Sequence, residues 1–343
     1  MNRTILVLFG MGAAPVPLLA DGKRLPSLPD KEGFAGAFAG TSNGALVVAG
    51  GANFPGKKPW EGGAKVWHDN VFVLEKPGGE WKRVGKLPRA LGYGVSVTYR
   101  DRVVCAGGSD AEQHFADCFA LEWSGGKLTT TKLPPLPKRV ANACGALVGD
   151  TLYVAGGTEK PDSTEALRTV FTLDLSAAKS EWHEEKPTPA PGRVLAVGAA
   201  FGGKFWLVGG AELLPDKDGK PIRRYLKGAT FHDPTKGWGR GPELPRAVVA
   251  APSPAPADAA GFYLLGGDDG SQLAAAPTRH TGFSKKVLRF DGKTGAWVEV
   301  GELTAPRVTA PCVRWRDAWV VSSGEVRPGV RSPEVWRFKF PKE

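Results

Sequence analysis

Near the end of this 343-residue chain, positions 323–332 read SGEVRPGVRS. One glutamate and two arginines fall within this short stretch, bent at Pro328 and Gly329. A carboxylate such as Glu325 can take up and release a proton during a reaction. An arginine such as Arg331 can hold an anion through paired N–H donors set in a rigid fork. The residue types therefore suit acid–base chemistry on a bound anion. The apolar run DAWVVS precedes the stretch and EVWRFKF follows it, so it joins two strand-like segments. Whether it can reach a ligand depends on which end of which fold it occupies.

A repeat answers that. Hydrophobic runs ending in two small residues recur as ALVVAGG, RVVCAGG, TLYVAGG, KFWLVGG, GFYLLGG and AWVVSSG, closing at residues 51, 108, 157, 210, 267 and 324. The intervals are 57, 49, 53, 57 and 57 residues. A period near fifty with aromatic and β-branched runs signals stacked four-stranded blades, the kelch type of β-propeller. Trp81, Trp182, Trp238 and Trp297 keep step with it, and the second repeat departs, with no Trp in KLTTTKLPPLP. A Pro-rich turn with a basic residue follows, at Arg89, Arg139, Arg193, Arg246 and Arg307. The expected fold is all-β: a single six-bladed propeller over residues 21–343. The last repeat holds only three strands, and KRLPSLP near residues 22–29 resembles a fourth, so the N-terminal strand is expected to close the sixth blade and remove an open edge.

Strands within a blade alternate in direction. The loop after each Gly pair thus shares one face with the turn that enters each innermost strand, and residues 323–332 face the same way as the five arginines. One glutamate joins a basic ring at the mouth of the central channel. The competing role for each arginine is to tie neighbouring blades together through carbonyls and carboxylates.

Three stretches go beyond a generic repeat: EGFAGAFAGTSNGALVVAGGANFPG (32–56), GYGVSVTYRDRVVCAGG (92–108) and SGEVRPGVRS. Together they resemble the N-acetylneuraminate mutarotases, the sialic-acid epimerases built on six kelch blades. In that family the first two stretches follow the glutamate–arginine motif; here they precede it, as in a circularly permuted branch. The resemblance implies an isomerase that interconverts the α and β anomers of N-acetylneuraminate by general acid–base catalysis at the channel mouth, with no metal or redox cofactor. The family segment Gly-Glu-x-x-Pro-Gly-x-Arg places its functional pair on Glu325 and Arg331. Arg89 and Arg246 fall where related blades place an arginine, and with Asn53 and Arg307 they are the expected substrate-binding residues, although Arg307 lacks a clear family counterpart. The loop 52–69 is expected to overhang the mouth, bringing Trp60 and His68. The alternative is a non-catalytic kelch propeller that binds a glycan or a protein.

Composition sets limits. The formal charge is +10, but the Lys and Arg are scattered and form none of the nucleic-acid-binding motifs, so the expected partner is a small anionic sugar and not a nucleic acid. The start, MNRTILVLFGMGAAPVPLLADG, has a basic residue, an apolar stretch and Ala20 before Asp21, the pattern of a signal peptide over residues 1–20. It is too short and broken for a membrane span. A periplasmic or secreted protein, with no membrane segment in its mature form, is expected. Cys105, Cys118, Cys144 and Cys312 show no zinc-type spacing, so no metal site is expected; Cys105 and Cys118, on neighbouring strands, are either a disulfide or buried thiols. Sialidase turns of the Ser-x-Asp-x-Gly-x-Thr-Trp type are absent, the His and Tyr residues are too scattered for a copper oxidase, and PDKDGKPI reads as a hairpin turn more than a calcium loop.

Overall fold

The computed structural model describes residues 22–340. The expected leader, residues 1–20, lies outside the described residues. Six antiparallel sheets surround a channel. Blade 1 comprises Phe38–Ser42, Ala45–Ala49, Asn70–Leu74 and Lys82–Lys86, from hub to rim. Blades 2, 3 and 4 repeat this order, with innermost strands Val95–Tyr99, Cys144–Val148 and Val197–Phe201. Blade 6 runs from Cys312–Trp315 outward, and its rim strand is the N-terminal Lys23–Leu25, paired antiparallel with Val335–Phe338. The N-terminal closure read from the sequence is thus present.

Blade 5 departs from the pattern. Its sheet has three strands, Gly261–Leu265, Lys286–Asp291 and Ala296–Glu302. The segment that should form its innermost strand carries Pro252, Pro254 and Pro256, which lack the N–H donors a ladder needs. It bonds mostly sideways, Ala255 N–H donating to Gly198 O (2.8 Å) in blade 4 and Ser253 N–H to Ala310 O (3.2 Å) beside blade 6, and meets its own blade at a short bridge, Ala257 to Phe262.

The core is divided among the blade interfaces. Between blades 1 and 2 lie Phe38, Val47, Val71, Val103, Phe119 and Leu121; a comparable buried cluster fills each of the other five interfaces. The recurring tryptophans fasten one blade to the one before it. Trp81, Trp182, Trp238 and Trp297 each donate an indole N–H, to the carbonyls of Pro26, Pro134, Lys186 and Pro242. The second repeat, which lacks the Trp, packs Leu128 against the first interface cluster instead.

Cys105 and Cys118 are not bridged. Cys118 pairs in register with Ala106 and Cys105 with Phe119, so the two side chains leave opposite faces of the blade 2 sheet and enter different interface clusters. All four thiols are free and buried. Burial pushes Cys118 and Cys144 up to about 12, which keeps them as unreactive thiols.

The hub is closed by backbone. Gly36, Tyr93, Asn142, Leu195, Ala250 and Thr309 stand at equivalent points, one before each innermost strand. Each N–H donates to the carbonyl of the preceding member: Tyr93 to Gly36, Asn142 to Tyr93, Leu195 to Asn142, Ala250 to Leu195, Thr309 to Ala250, and Gly36 to Thr309, at 2.7–2.9 Å. This is a complete belt of six hydrogen bonds. All six residues have positive φ, between 49° and 65°.

The Gly pairs hold the linkers that enter the belt. Gly51, Gly108, Gly157 and Gly210 donate their N–H groups to Leu91, Val140, Arg193 and Val248 O, each at 2.8 Å. The first glycine of each pair has no room for a side chain: a Cβ on Gly209 (φ 60°) would lie 2.2 Å from Val248 O. Gly203 (φ 70°), in a turn of the same blade, would meet nothing within 4 Å. Gly203→Ala is therefore expected to cost about 1 kcal/mol for its backbone alone. Gly209→Ala must also displace a linker and should cost at least twice that. Urea midpoints of the two variants check this; equal losses would show that the linker contact carries no weight.

Candidate functional site

In blade 6 a serine replaces the first glycine of the pair. Ser323 (φ 61°) is fully buried; its Oγ accepts from Phe34 N (2.6 Å) and its hydroxyl donates to Ser332 O (2.8 Å). It binds the start of the chain to the end of the SGEVRPGVRS loop. That loop is a short hairpin, Glu325–Arg327 against Val330–Arg331, with Glu325 and Arg331 directly opposite one another. Glu325 also bridges to Val308, the neighbour of belt residue Thr309.

The two side chains of the hairpin meet. Arg331 Nη2 lies 3.3 Å from Glu325 Oε2, and the side chains are only 5% and 16% exposed. Gly329 N–H donates to the other carboxylate oxygen at 2.8 Å. The Arg331 guanidinium stands over the Phe54 ring, 4.5 Å from its centroid. Its Nε and Nη1 are buried and find no hydrogen-bond acceptor in the protein. Burying such donors without a partner costs about 1–3 kcal/mol each, more for a charged group, so the arrangement suits an anion that supplies the acceptors.

Blade 1 covers this hairpin. In the loop 52–69, Phe54 lies under Arg331, Trp60 stands 5.9 Å from the Arg327 guanidinium, and Pro59 and Trp60 pack at Gly329. Further along, the Lys65 amine sits over the rings of Tyr93 (4.1 Å) and Trp67 (4.7 Å), which carries the loop to the belt.

Asn53 is not available to a ligand. It is 1% exposed and saturated: its amide donates to Gly33 O (3.0 Å) and Asp30 Oδ1 (3.2 Å), and its carbonyl accepts from His68 Nε2 (2.8 Å). It pins the loop to the linker ahead of blade 1.

The expected basic ring does not assemble. Arg246 donates to Gly266 O (3.0 Å) and Lys286 O (2.8 Å). Arg193 donates to the matching carbonyls one blade earlier, Gly209 O (3.0 Å) and Gly228 O (3.3 Å). Arg307 joins Glu334 and Ser332, the counterpart contacts in blade 6. Arg89 is half-exposed, paired with Asp117 at 3.0 Å and stacked on Phe115. Arg139 reaches Gln113. These guanidiniums fasten linkers to blades, the competing role, and Arg331 is the one that meets Glu325.

Two cavities lie along the channel. One, about 70 Å³, is lined by the belt residues. It is far below the several hundred Å³ a sugar requires. The other, about 430 Å³, is lined largely by apolar side chains of the innermost strands, with Ser96, Thr98 and Arg314 as its polar exceptions and no carboxylate. Neither cavity is lined by a carboxylate; Glu325 and Asp268 stand above the belt, in the loops that follow the Gly pairs.

Sequence reasoning passed over two residues there. Asp268 follows the Gly pair of blade 5 as Glu325 follows that of blade 6, and both bridge to the residue before the belt. Its Oδ2 accepts from Tyr225 Oη at 2.6 Å. The signal was present as GGDD beside SGEV; Tyr225 gave none, because its place depends on a hairpin.

A six-bladed propeller carrying a carboxylate–guanidinium hairpin defines the class of the protein. Comparison with known proteins narrows it. Residues 21–130 match the model of the N-acetylneuraminate epimerase family. An N-acetylneuraminate epimerase from Haemophilus influenzae (strain PittEE) is 40% identical over 122 residues, 31% of this chain and 32% of that protein. One from Salmonella enteritidis PT4 is 46% identical over 101 residues, 26% of each. The match therefore spans about a third of the length of these relatives or less. It takes in the first two resembling stretches and ends well before Glu325. The solved structure of YjhT superposes with a TM-score of 0.67 at 16% identity, covering 93% of this chain and 98% of that one, which shows the propeller fold. The resemblance read from the sequence is borne out over residues 21–130.

Burial lowers the pKa of His68 from its usual 6.5, against the opposing charges of Asp30 and Asp69. The unfolded chain then binds this proton at higher pH than the folded one. The stability His68 carries is complete above about pH 6.5 and is lost as pH falls through the folded pKa. Melting temperatures should decline from pH 7 to pH 5, and less steeply in His68→Gln; an unchanged slope would assign the decline to other groups.

Proposed function

We propose that this protein is a sugar-acid mutarotase that interconverts the α and β anomers of N-acetylneuraminate. The reading rests on one feature above all: the buried Glu325–Arg331 pair, whose guanidinium keeps two nitrogens without a protein acceptor. The epimerase match over residues 21–130 supports it, since the loop 52–69 inside that segment packs on the pair.

The chemistry asked of the site is modest. The ring oxygen gains a proton, the bond from it to the anomeric carbon breaks, and the anomeric hydroxyl loses its proton as the open-chain ketone forms. Rotation about the bond to the anomeric carbon and reclosure give the other anomer. Glu325 moves the proton, and its hydrogen bond from Gly329 fixes one carboxylate oxygen. Arg331 binds the substrate carboxylate through N–H groups that no protein acceptor takes up, its guanidinium standing over Phe54. The reaction takes place over the belt, in the mouth of the channel. A chain opened at a different blade builds the same ring, so a permuted chain order leaves this geometry intact.

Proton NMR of freshly dissolved crystalline N-acetylneuraminate, at a pH where spontaneous exchange is slow, tests the activity. Wild type should speed equilibration. Glu325→Gln should lower kcat by roughly 10²–10⁴. Arg331→Met should raise KM far more than it lowers kcat. Unchanged rates with wild type would favour a propeller that only binds a glycan or a protein. We also propose export through a leader at residues 1–20; a native N-terminal mass beginning at residue 1 would overturn that.

A further inference from the structure

The six positions after the Gly pairs are equivalent: Ala52, Ser109, Thr158, Ala211, Asp268 and Glu325 each bridge to the residue before the belt. Two of them, in adjoining blades, carry carboxylates. A second tier stands across from this ring. In blade 6 the residue opposite Glu325 is Arg331; in blade 4 the residue opposite Ala211 is Tyr225, at the end of the hairpin Ala211–Pro215 and Pro221–Tyr225. Tyr225 therefore occupies in its blade the place that Arg331 occupies in blade 6.

The phenol and Asp268 form a unit across blades 4 and 5. Tyr225 Oη donates to Asp268 Oδ2 at 2.6 Å, and Asp268 Oδ1 is fixed by Gly270 N–H at 3.0 Å. Tyr225 packs on an apolar cluster that includes belt residues Leu195 and Ala250, together with Phe283 and Val308. Val308 is the residue that bridges to Glu325. The cluster under the phenol thus includes the residue whose backbone bridges to Glu325. Burial and the Asp268 carboxylate push the Tyr225 phenol up, so it carries its proton at neutral pH.

We propose that Tyr225 is the second proton-transfer group of the mutarotase, with Asp268 as the positioning residue that receives its proton. This deepens the reading above and rests on it. The substrate carboxylate takes Glu325's place on Arg331 and Glu325 takes up a proton from solvent; it gives that proton to the ring oxygen, which takes the bonding pair as the bond to the anomeric carbon breaks. The anomeric hydroxyl proton passes to the Tyr225 oxygen while the Tyr225 proton passes to Asp268, and a lone pair on the former hydroxyl oxygen completes the ketone. Asp268 gains the proton that Glu325 loses. After rotation both transfers reverse and the ring closes on its other face. Neither free acid nor free base accumulates.

The anomer-exchange assay on Tyr225→Phe, Asp268→Asn and the double variant tests this. Each single variant should lose roughly 10²-fold in kcat with KM within about threefold, and the double variant should be no slower than the worse single one. In mixtures of H₂O and D₂O, the wild-type rate should depend on deuterium fraction along a bowed curve, from three protons in transfer, and Tyr225→Phe along a flatter one. Retained kcat in folded Tyr225→Phe, or a curve unchanged by the substitution, would overturn the role of Tyr225 while leaving Glu325 in place. Should Tyr225→Phe fold poorly, Asp268→Asn gives the same reading, because it keeps shape and loses only the proton acceptor. An inactive wild type would overturn this role and the mutarotase reading together.

Discussion

The belt of six backbone hydrogen bonds at the hub is the constraint on which the rest of the structure hangs. Each blade contributes one residue with positive φ, and each spends its N–H and C=O on its two neighbours. Glycine adopts this conformation freely, but Gly36 is the one glycine of the six. Tyr93, Asn142, Leu195, Ala250 and Thr309 bear a strain of roughly 1–2 kcal/mol apiece. The strain persists because the linker on one side is clamped by a Gly pair and the strand on the other by its sheet. The turn at the belt sets the angle at which every linker arrives. It thereby sets where the residue after each Gly pair stands.

That placement explains why the site is built from unlike residues at like positions. Glu325, Asp268 and four small or hydroxyl-bearing residues share one backbone environment. Arg331 and Tyr225 share another. The fold offers a ring of equivalent sockets, and side-chain choice differentiates them. The arginines of the Pro-rich turns belong to the scaffold. Arg193 and Arg246 reach the same pair of carbonyls from different linker positions, two and four residues ahead of the belt. A shift of that size is tolerated because a long guanidinium side chain can cover the difference.

The fold was legible because its signals repeat. A Gly pair that must turn with positive φ and a rim Trp that bonds the previous blade are local demands, so the pair leaves its mark in five blades, with Ser-Gly in the sixth, and the Trp in four. Blade 5 departs from the period because three prolines fall where its inner strand would run. Glu325 and Arg331 were legible together because both lie on one short hairpin. Asn53 was misassigned because nothing in ANFPG tells that Asp30, Gly33 and His68 converge on it. Tyr225 and Asp268 lie 43 residues apart in different blades, and no spacing rule joins them.

Ser323 carries a further consequence. Its hydroxyl touches Phe34 and Ser332 at once, so the seam that closes the ring is also the mounting of the Glu325 hairpin. During synthesis the loop 52–69 leaves the ribosome well before the hairpin it covers, which follows only after blades 2 to 5 have been made. No nascent chain short of the sixth blade can hold a formed site, however much of its sheet structure is in place. The activity proposed for it would then be a report on completed closure. An incomplete ring, with its edge still open, is silent, not merely weak.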